Sequence, residues 1–506
     1  MLDLGTSFLA SVERDGGATA VADGPLRLSY AEWLARIGAT TAGLKELGLR
    51  RGDFLLVALQ NRWEMATLHW ACQFLGVVVT PVNWRVKPDE LDFYLENSGA
   101  KAVVFEEVTA ESVEQSGRAG ALPRVAVGCE RAGAVTFDSL LATRAAEPSP
   151  QASSDDLSLM LYTSGTTGRP KGVPRRQRAE RAAALAHVAQ NLYGMGERTL
   201  GAMPLYHTMG VRSLLAMSLI NGLFCCLPRF DVGCALTLIQ QARLTNLYLV
   251  PTLYHDMLAH ADFATTDVSS VRKLGFAGAA MTDGLLQRLV AAFKPELFVN
   301  HYGSSEVYTF TIDQNAPAKP GSAGKAGINQ MIRVIKLGSD DPGAVAAPRE
   351  EGQIAANLAS DEAFEGYWRR PDADEKAIHQ GWYLTGDTGY FDEDGDLFVT
   401  GRVDDMIITG GENVFPLEVE SVLSLHPAVA EVAVTGLPHE RWGQQVTAFI
   451  KRGAAVTAEE LDGYCRGSSL ADFKRPRAYV FVKAIPKSPV GKILRRLLVA
   501  GDYEKE

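Results

Sequence analysis

Cysteine is scarce in this sequence: six occur in 506 residues, and no two form a CxxC pair. That fits reduced thiols in a cytosol, and a cytoplasmic protein is expected. Cys225 and Cys226 stand side by side within an apolar run, where burial explains them better than redox work. Long hydrophobic runs are also missing. The most apolar stretch, Leu214 to Leu227, is broken by Ser218, Asn221 and Gly222. It is too short to span a bilayer and reads as core. No run of one charge sign occurs, and 60 acids against 50 bases leave a net charge of −10. A nucleic-acid partner is therefore not expected, since such binders carry a basic face. The start, MLDLGTSFLASVERD, has Asp3 and no basic region, which argues against a secretory signal. Internal repeats and low-complexity segments are absent too.

What is present is ordinary globular material, 46% hydrophobic and 22% charged, in a chain long enough for at least two domains. LLVAL (Leu55 to Leu59), the helically spaced RWEMATLHWACQFLG and VVVTPVN (Val77 to Asn83) read as a βαβ unit. AVVF near Val103 and RVAV near Val125 add short strands. After the Pro/Ser/Ala-rich AAEPSPQASSDD, the strands LSLMLY, NLYLVP, KLGFAG and ELFVNHYG alternate with helical patterns. Such α/β sheets carry their chemistry in the loops at the carboxyl ends of strands. GYFDEDGDLFVTGR reads as a hairpin turning at Asp394-Gly395. Its Asp cluster is not a calcium loop, because glycine falls at position four from Asp392 rather than six. The boundary is placed at Asp404, giving a large domain over 1–403 and a small α/β domain over 404–506, with a helix starting near Pro416.

The stretch YTSGTTGRPKG from Tyr162 is the first with chemical content. Thr163, Ser164, Thr166 and Thr167 supply hydroxyls, Gly165 and Gly168 free the backbone to turn its N–H groups outward, and Lys171 adds a cation. Phosphate is the natural guest of such a loop. The loop is not a Walker A motif: Arg169 stands where a second glycine is needed, and Gly172 follows Lys171 where Ser or Thr should be.

An ordered set follows it: MPLYHTMG, GFAGAAM, NHYGSSE, YLTGD, GRVDDMI, GGEN and PKSPVGKILRR. With these motifs the sequence resembles, over essentially its full length, the acyl-adenylate-forming family of acyl-CoA synthetases, peptide-synthetase adenylation domains and beetle luciferases. Among them it is most similar to the aryl-CoA ligases of the halobenzoate and benzoate type. The resemblance implies α/β sheets with a small barrel-like part in the large domain and a mobile small domain. It also implies a two-step reaction. A carboxylate attacks the α-phosphate of MgATP to give acyl-AMP and pyrophosphate, and the thiol of coenzyme A then displaces AMP.

The same resemblance implies roles. Thr163 to Gly168 with Lys171 would cradle the β- and γ-phosphates, and Glu306 would hold Mg²⁺. His301, Tyr302, Gly303, Ser304 and Ser305 would line the nucleotide site, with the Tyr302 ring on adenine. Gly278, Ala279 and Ala280 would allow close backbone approach, and Asp387 and Arg402 would hold the ribose or phosphate. His207 would gate thiol access, or serve as a structural hydrogen-bonder. Lys492 would reach the α-phosphate during adenylation, and Asp404 would be the hinge. Gly410 and Gly411 would leave space for pantetheine. Arg85, Trp442, Phe473, Arg475 and Arg477 would form the CoA-nucleotide surface.

The acid pocket is expected from His207, Met209, Gly278, Tyr302, Val307 and Tyr308, with the helix near Ala184. This mostly apolar set favours an aromatic or alicyclic ring acid over a medium-chain fatty acid. Arg212 departs from the apolar run after the gate motif; it either pairs with a polar group of the substrate or takes an ordinary surface or salt-bridge role. Two further readings are loading of a carrier protein, against which the CoA-type surface argues, and non-catalytic nucleotide sensing, against which Lys492 and Glu306 argue. A monomer or homodimer without a membrane span is expected.

Overall fold

The computed structural model describes residues 2–143, 148–163, 170–468, 470–487 and 493–506, and the side chain of Asp404 is outside the description. Three sheets organise these residues. The first has seven strands, and its parallel pairs join Phe54–Ala58 to Val78–Pro81 and to Ala102–Glu106. This is the expected βαβ unit, with helix Trp63–Leu75 as the crossover. Along Phe54–Ala58, Leu55 and Val57 pack into one core and Leu56 and Ala58 into another. Both faces are thus covered, which is why these strands read as continuous apolar runs rather than as alternation.

The second sheet has 14 strands. Its parallel part runs through Arg198–Gly201, Asn246–Leu249, Lys273–Phe276 and Leu297–Tyr302. Ser322–Ala326 then carries the sheet into an antiparallel run with Leu397–Arg402 and Trp382–Phe391. The expected barrel-like part is this antiparallel end. Helices Trp63–Leu75 and Thr208–Leu219 are buried on nearly all sides between the two sheets, as helices without a polar face must be. Cys225 and Cys226 are free and buried, and they point into different cores. Among the described residues, no helix is long and apolar enough to cross a membrane.

A single turn, Val403–Asp405, leads to a separate five-stranded sheet beginning at Ile407. That sheet has its own core, built on Val419, Leu423, Val434 and Ile450. Asp392, Asp394 and Asp396 do converge, but the charge they receive is the ammonium of Lys319, 2.9 Å from Asp394 and 2.6 Å from Asp396.

Glu351 lies just ahead of strand Gly352–Asn357, with one carboxylate oxygen buried and unpartnered. Burial raises its pKa to about 7, and the charge of Glu418 adds to the shift. A folded-state pKa above the unfolded value means that stability is fully present below about pH 4.5 and is lost as pH rises through 7. Because the group is only partly buried, the loss is discounted to about 1–2 kcal/mol. Glu351→Gln should therefore raise the apparent Tm more at pH 8 than at pH 5, by about one to a few degrees. An equal shift at both values in a thermal scan would refute this assignment.

Candidate functional site

The parallel strands end at one crevice. Arg198–Gly201 leads to His207, Lys273–Phe276 leads to Gly278, and Leu297–Tyr302 leads to Glu306. Gly278 is exposed with φ +81°, and a Cβ there would stand 3.3 Å from Val250 and 3.8 Å from Met209. Ala280 is exposed beside it and Ala279 partly so. This is the carboxyl edge where α/β sheets take their ligands.

The loop after Tyr302 is wound tightly. A Cβ on Gly303 would stand 2.1 Å from the carbonyl oxygen of Tyr308, so only glycine fits. Ser304 accepts from the N–H of Glu306 at 3.2 Å, and its own N–H donates to Val307 at 2.9 Å. Ser305 meets Thr208 at 3.2 Å, joining this loop to the helix that His207 precedes. The loop presents the carboxylate of Glu306, which accepts from the Tyr367 hydroxyl at 2.6 Å. Lys171 places its ammonium 4.0 Å from the centre of the Tyr367 ring. Burial holds the Lys171 ammonium below its ordinary pKa, while Glu306 opposes the shift. A half-buried cation of this kind is readied for an anion. Lys171 opens strand Lys171–Arg176 opposite Thr163, the last residue of Leu157–Thr163. The two strands are antiparallel, so Thr163 and Lys171 are ladder partners, with Lys171 against Tyr367. Ser164, Gly165, Thr166, Thr167 and Gly168 lie outside the described residues.

A second cluster sits at the antiparallel end. The hairpin turns at Gly395, and a register shift between Thr388 and Gly389 brings Asp387 to face Arg402. Arg402 meets Asp387 at 2.9 Å, and the Tyr302 hydroxyl donates to the other carboxylate oxygen at 2.6 Å. Tyr302, Asp387 and Arg402 are thus brought together.

Other expectations need correction. His301 is buried on the face of its strand opposite Tyr302, because successive side chains alternate. Its ring contacts His187 and Tyr248, so any nucleotide contact at this position is through the backbone. Val307 packs with Val173, Phe310 and Tyr367, apart from the cores that hold Met209 and Tyr308. Gly410 and Gly411 have φ +62° and +90°. They form the two-residue turn between Ile407–Thr409 and Glu412–Val414, which demands positive φ at both positions. Gly411 has nothing within 4 Å of a Cβ, so turn geometry rather than a narrow tunnel accounts for it. Arg475 is largely buried and paired with Asp462, so a CoA phosphate would have to share it. Arg212 is neither at the surface nor in a salt bridge with a carboxylate; it is 2% exposed and bonded to Tyr308, Thr309 and Tyr248.

Arg85 lies exposed over the Trp84 ring at 3.8 Å, at the rim of a cavity of about 90 Å³ that also touches Tyr206. Trp442 stacks on His439 and accepts from the Gly410 N–H at 2.9 Å. Phe473 is 40% exposed, and Arg477 donates to the Asp472 carbonyl at 3.2 Å. Lys492 lies outside the described residues.

Sequence reasoning missed Tyr367 and a fully buried network behind Glu306. Arg175 donates to Glu180 at 2.8 Å and to the carbonyl oxygens of Glu306 and Glu362 at 3.1 and 2.6 Å. The Tyr308 hydroxyl closes the network on Glu180 at 3.1 Å. Only the RRQRAE run around Arg175 hinted at it, and that run passes for an ordinary charged helix start.

The AMP-binding enzyme profile matches residues 8–368, and the AMP-binding enzyme C-terminal domain matches residues 418–492. The chain belongs to the AMP-binding enzyme family. It is 34% identical over 494 residues to the 4-chlorobenzoate–CoA ligase of an Arthrobacter species, covering 96% of this chain and 93% of that one. It is 33% identical over 478 residues to a long-chain-fatty-acid–CoA ligase of Mycobacterium tuberculosis, covering 94% and 93%. The solved o-succinylbenzoate CoA synthetase of Bacillus subtilis, in complex with its acyl-adenylate, superposes with a TM-score of 0.83 at 28% identity over 97% of each chain. This AMP-binding enzyme is an acid–thiol ligase that consumes ATP and coenzyme A by way of an acyl-AMP.

Proposed function

We propose that the acid is a ring-bearing one, aromatic or alicyclic, and that the two clusters at the crevice hold ATP for its activation. The carrying observation is that Glu306, Tyr367 and Lys171 form one cluster and Tyr302, Asp387 and Arg402 another, close enough for the Arg402 charge to act on Lys171. In this reading Asp387 accepts from the ribose hydroxyls, exchanging the Tyr302 hydroxyl for them, and Arg402 steadies it. Lys171 and the loop after Thr163 bind the β- and γ-phosphates. Glu306 suits Mg²⁺, since one hard carboxylate with substrate phosphates is a usual magnesium donor set. When bound, that ion would neutralise phosphate charge. Tyr367 and the Ser304 turn hold the Glu306 carboxylate in place, while His207 gates thiol access.

The acid's carboxylate oxygen then bonds the α-phosphorus as pyrophosphate leaves, and the sulfur of coenzyme A bonds the acyl carbon as AMP leaves. Residues 404–506 turn about Asp404 between the two steps, with Arg85, Trp442, Phe473 and Arg477 facing coenzyme A. Two of the relatives above take ring acids and one takes long-chain fatty acids, which supports the ring as first choice. The protein incubated with MgATP, coenzyme A and a panel of acids should give AMP, pyrophosphate and acyl-CoA, fastest with ring acids. ADP and phosphate as products would overturn the adenylate route. A preference for unbranched chains would overturn the ring.

A further inference from the structure

Buried polar groups without partners are rare in folded proteins, yet this chain gathers several in one place. Arg212 donates from Nη1 to the Tyr308 carbonyl at 3.1 Å and the Thr309 hydroxyl at 2.9 Å, and from Nη2 to the Tyr248 hydroxyl. Its Nε has no partner, and neither have Nδ1 of His301 and Nε2 of His187. The three aromatic rings lie together: His187 is 4.7 Å from Tyr248 and 5.1 Å from His301, and Tyr248 is 5.2 Å from His301. The guanidinium carbon of Arg212 is 5.3 Å from the Tyr248 ring centre.

The amide nitrogen of Asn191 donates to the His187 carbonyl at 2.8 Å and lies 3.0 Å from Nδ1 of His187 and 2.9 Å from Nε2 of His301, which also meets the Asn191 amide oxygen at 3.2 Å. An amide has two hydrogens, so with one on the His187 carbonyl it serves one imidazole at most. Burial and the nearby Arg212 charge push both imidazoles well below their usual pKa, so they are neutral. Among the described residues, the cluster thus offers one unmet N–H donor, Nε of Arg212, beside two unpartnered imidazole nitrogens. Two carboxylates lie near: Glu180 pairs with Arg175, and Glu362, on which the Arg212 charge acts, accepts from Asn329 at 3.2 Å and keeps its other oxygen unpartnered among the described residues.

The position connects this cluster to the crevice. Glu180, Ala184 and His187 recur at helical spacing on the buried face of Gln177–Gln190. Arg212 rides on the helix that His207 precedes, whose Thr208 meets Ser305 beside Glu306. His301 directly precedes Tyr302 on its strand.

We propose that Arg212, His301 and His187 form the far wall of the acyl pocket, and that the acid carries an oxygen acceptor at the end away from its reacting carboxylate. A hydroxyl, carbonyl or second carboxylate meets that description. The inference rests on the ligase function proposed above and replaces the apolar pocket expected from the sequence. A site built to hydrogen-bond one substrate group rejects an isostere lacking it far more strongly than an apolar pocket discriminates by size.

The test compares kcat/KM for pyrophosphate release with 4-methyl-, 4-hydroxy- and 4-carboxybenzoate, together with the 3-substituted set. At least one oxygen-bearing acid should exceed its methyl isostere by about 10²-fold or more. Which oxygen acid leads separates an anionic substituent from a neutral one. Arg212→Met should bring the ratio to within about threefold. A ratio measured within one preparation is insensitive to the fraction of protein that folds, and His301→Leu and Thr309→Val repeat the test if Arg212→Met does not fold. A methyl acid that equals or exceeds its oxygen-bearing partners would overturn the inference, as would an unchanged ratio in folded variants, while leaving the ligase reading intact. Release of no pyrophosphate with any acid would instead overturn the ligase reading itself.

Discussion

Lys492→Ala should slow pyrophosphate release by at least about 10²–10³, or roughly 3–4 kcal/mol, because one preorganised donor to a developing charge typically contributes that much. Negative charge builds on the α-phosphate as the carboxylate attacks, and in the proposed mechanism Lys492 is the cation that the C-terminal motif brings to it. An ammonium placed there stabilises the transition state more than the bound substrates. ATP affinity should therefore change much less than the rate. The thioester step should stay nearly normal when synthetic acyl-AMP is supplied, since the proposed rotation carries Lys492 away before the thiol attacks. Lys487 and Ile493, on either side of this segment, are bridged as antiparallel neighbours, and Lys487 pairs with Glu431. A thermal transition equal to the parent's would show that a loss of activity is not a loss of fold. Two rapid-mix measurements decide the matter: the pyrophosphate burst, and acyl-CoA formation from acyl-AMP. An intact burst would remove this lysine from the mechanism.

The difference between what was legible and what was not lies in the distance over which the physics acts. Strands such as Ala102–Glu106 and Leu297–Tyr302 are short apolar runs bounded by turn residues, and local composition marks them. Their ends were less visible: Val77 to Asn83 read as strand, while Val78–Pro81 pairs, because ladder partners rather than propensity end a buried strand. The hairpin itself was legible in the Asp394-Gly395 turn, but the facing of Asp387 and Arg402 depends on a register shift between Thr388 and Gly389 that no local signal marks. Tyr367, by contrast, is 61 residues from Glu306, and nothing near it in the chain marks the contact. The apolar pocket was a reading of residue types in sequence order. It could not register Arg212, His187 and His301, which come from two helices and a strand that only the packed core unites. A lone arginine in the buried helix Thr208–Leu219 was the signal, and its surface alternative held only while burial was unknown. The Gly410-Gly411 pair misled in the opposite direction: a backbone requirement for positive φ resembles a requirement for space.

Asp404→Pro should separate the two half-reactions. Val403–Asp405 is the one turn between the antiparallel end of the large sheet and the separate sheet that begins at Ile407. If residues 404–506 rotate between steps, backbone torsions in this turn must absorb the change. Proline fixes φ near −65° and removes an N–H. A helical turn tolerates that φ, so the arrangement seen here should form in the variant, whereas any arrangement needing another φ at this residue is closed to it. We expect adenylate formation, read as pyrophosphate release, to stay within a few-fold of the parent. Acyl-CoA formation from supplied acyl-AMP should fall by about two orders of magnitude, the scale on which misplacement of a reacting group lowers rates. Asp404→Ala is the control, because it removes the same carboxylate without restricting φ and should leave both steps near normal. If both variants lost the thioester step alike, the carboxylate rather than backbone rotation would be responsible. If Asp404→Pro lowered both steps equally with an unchanged thermal transition, the pivot would lie elsewhere in the chain.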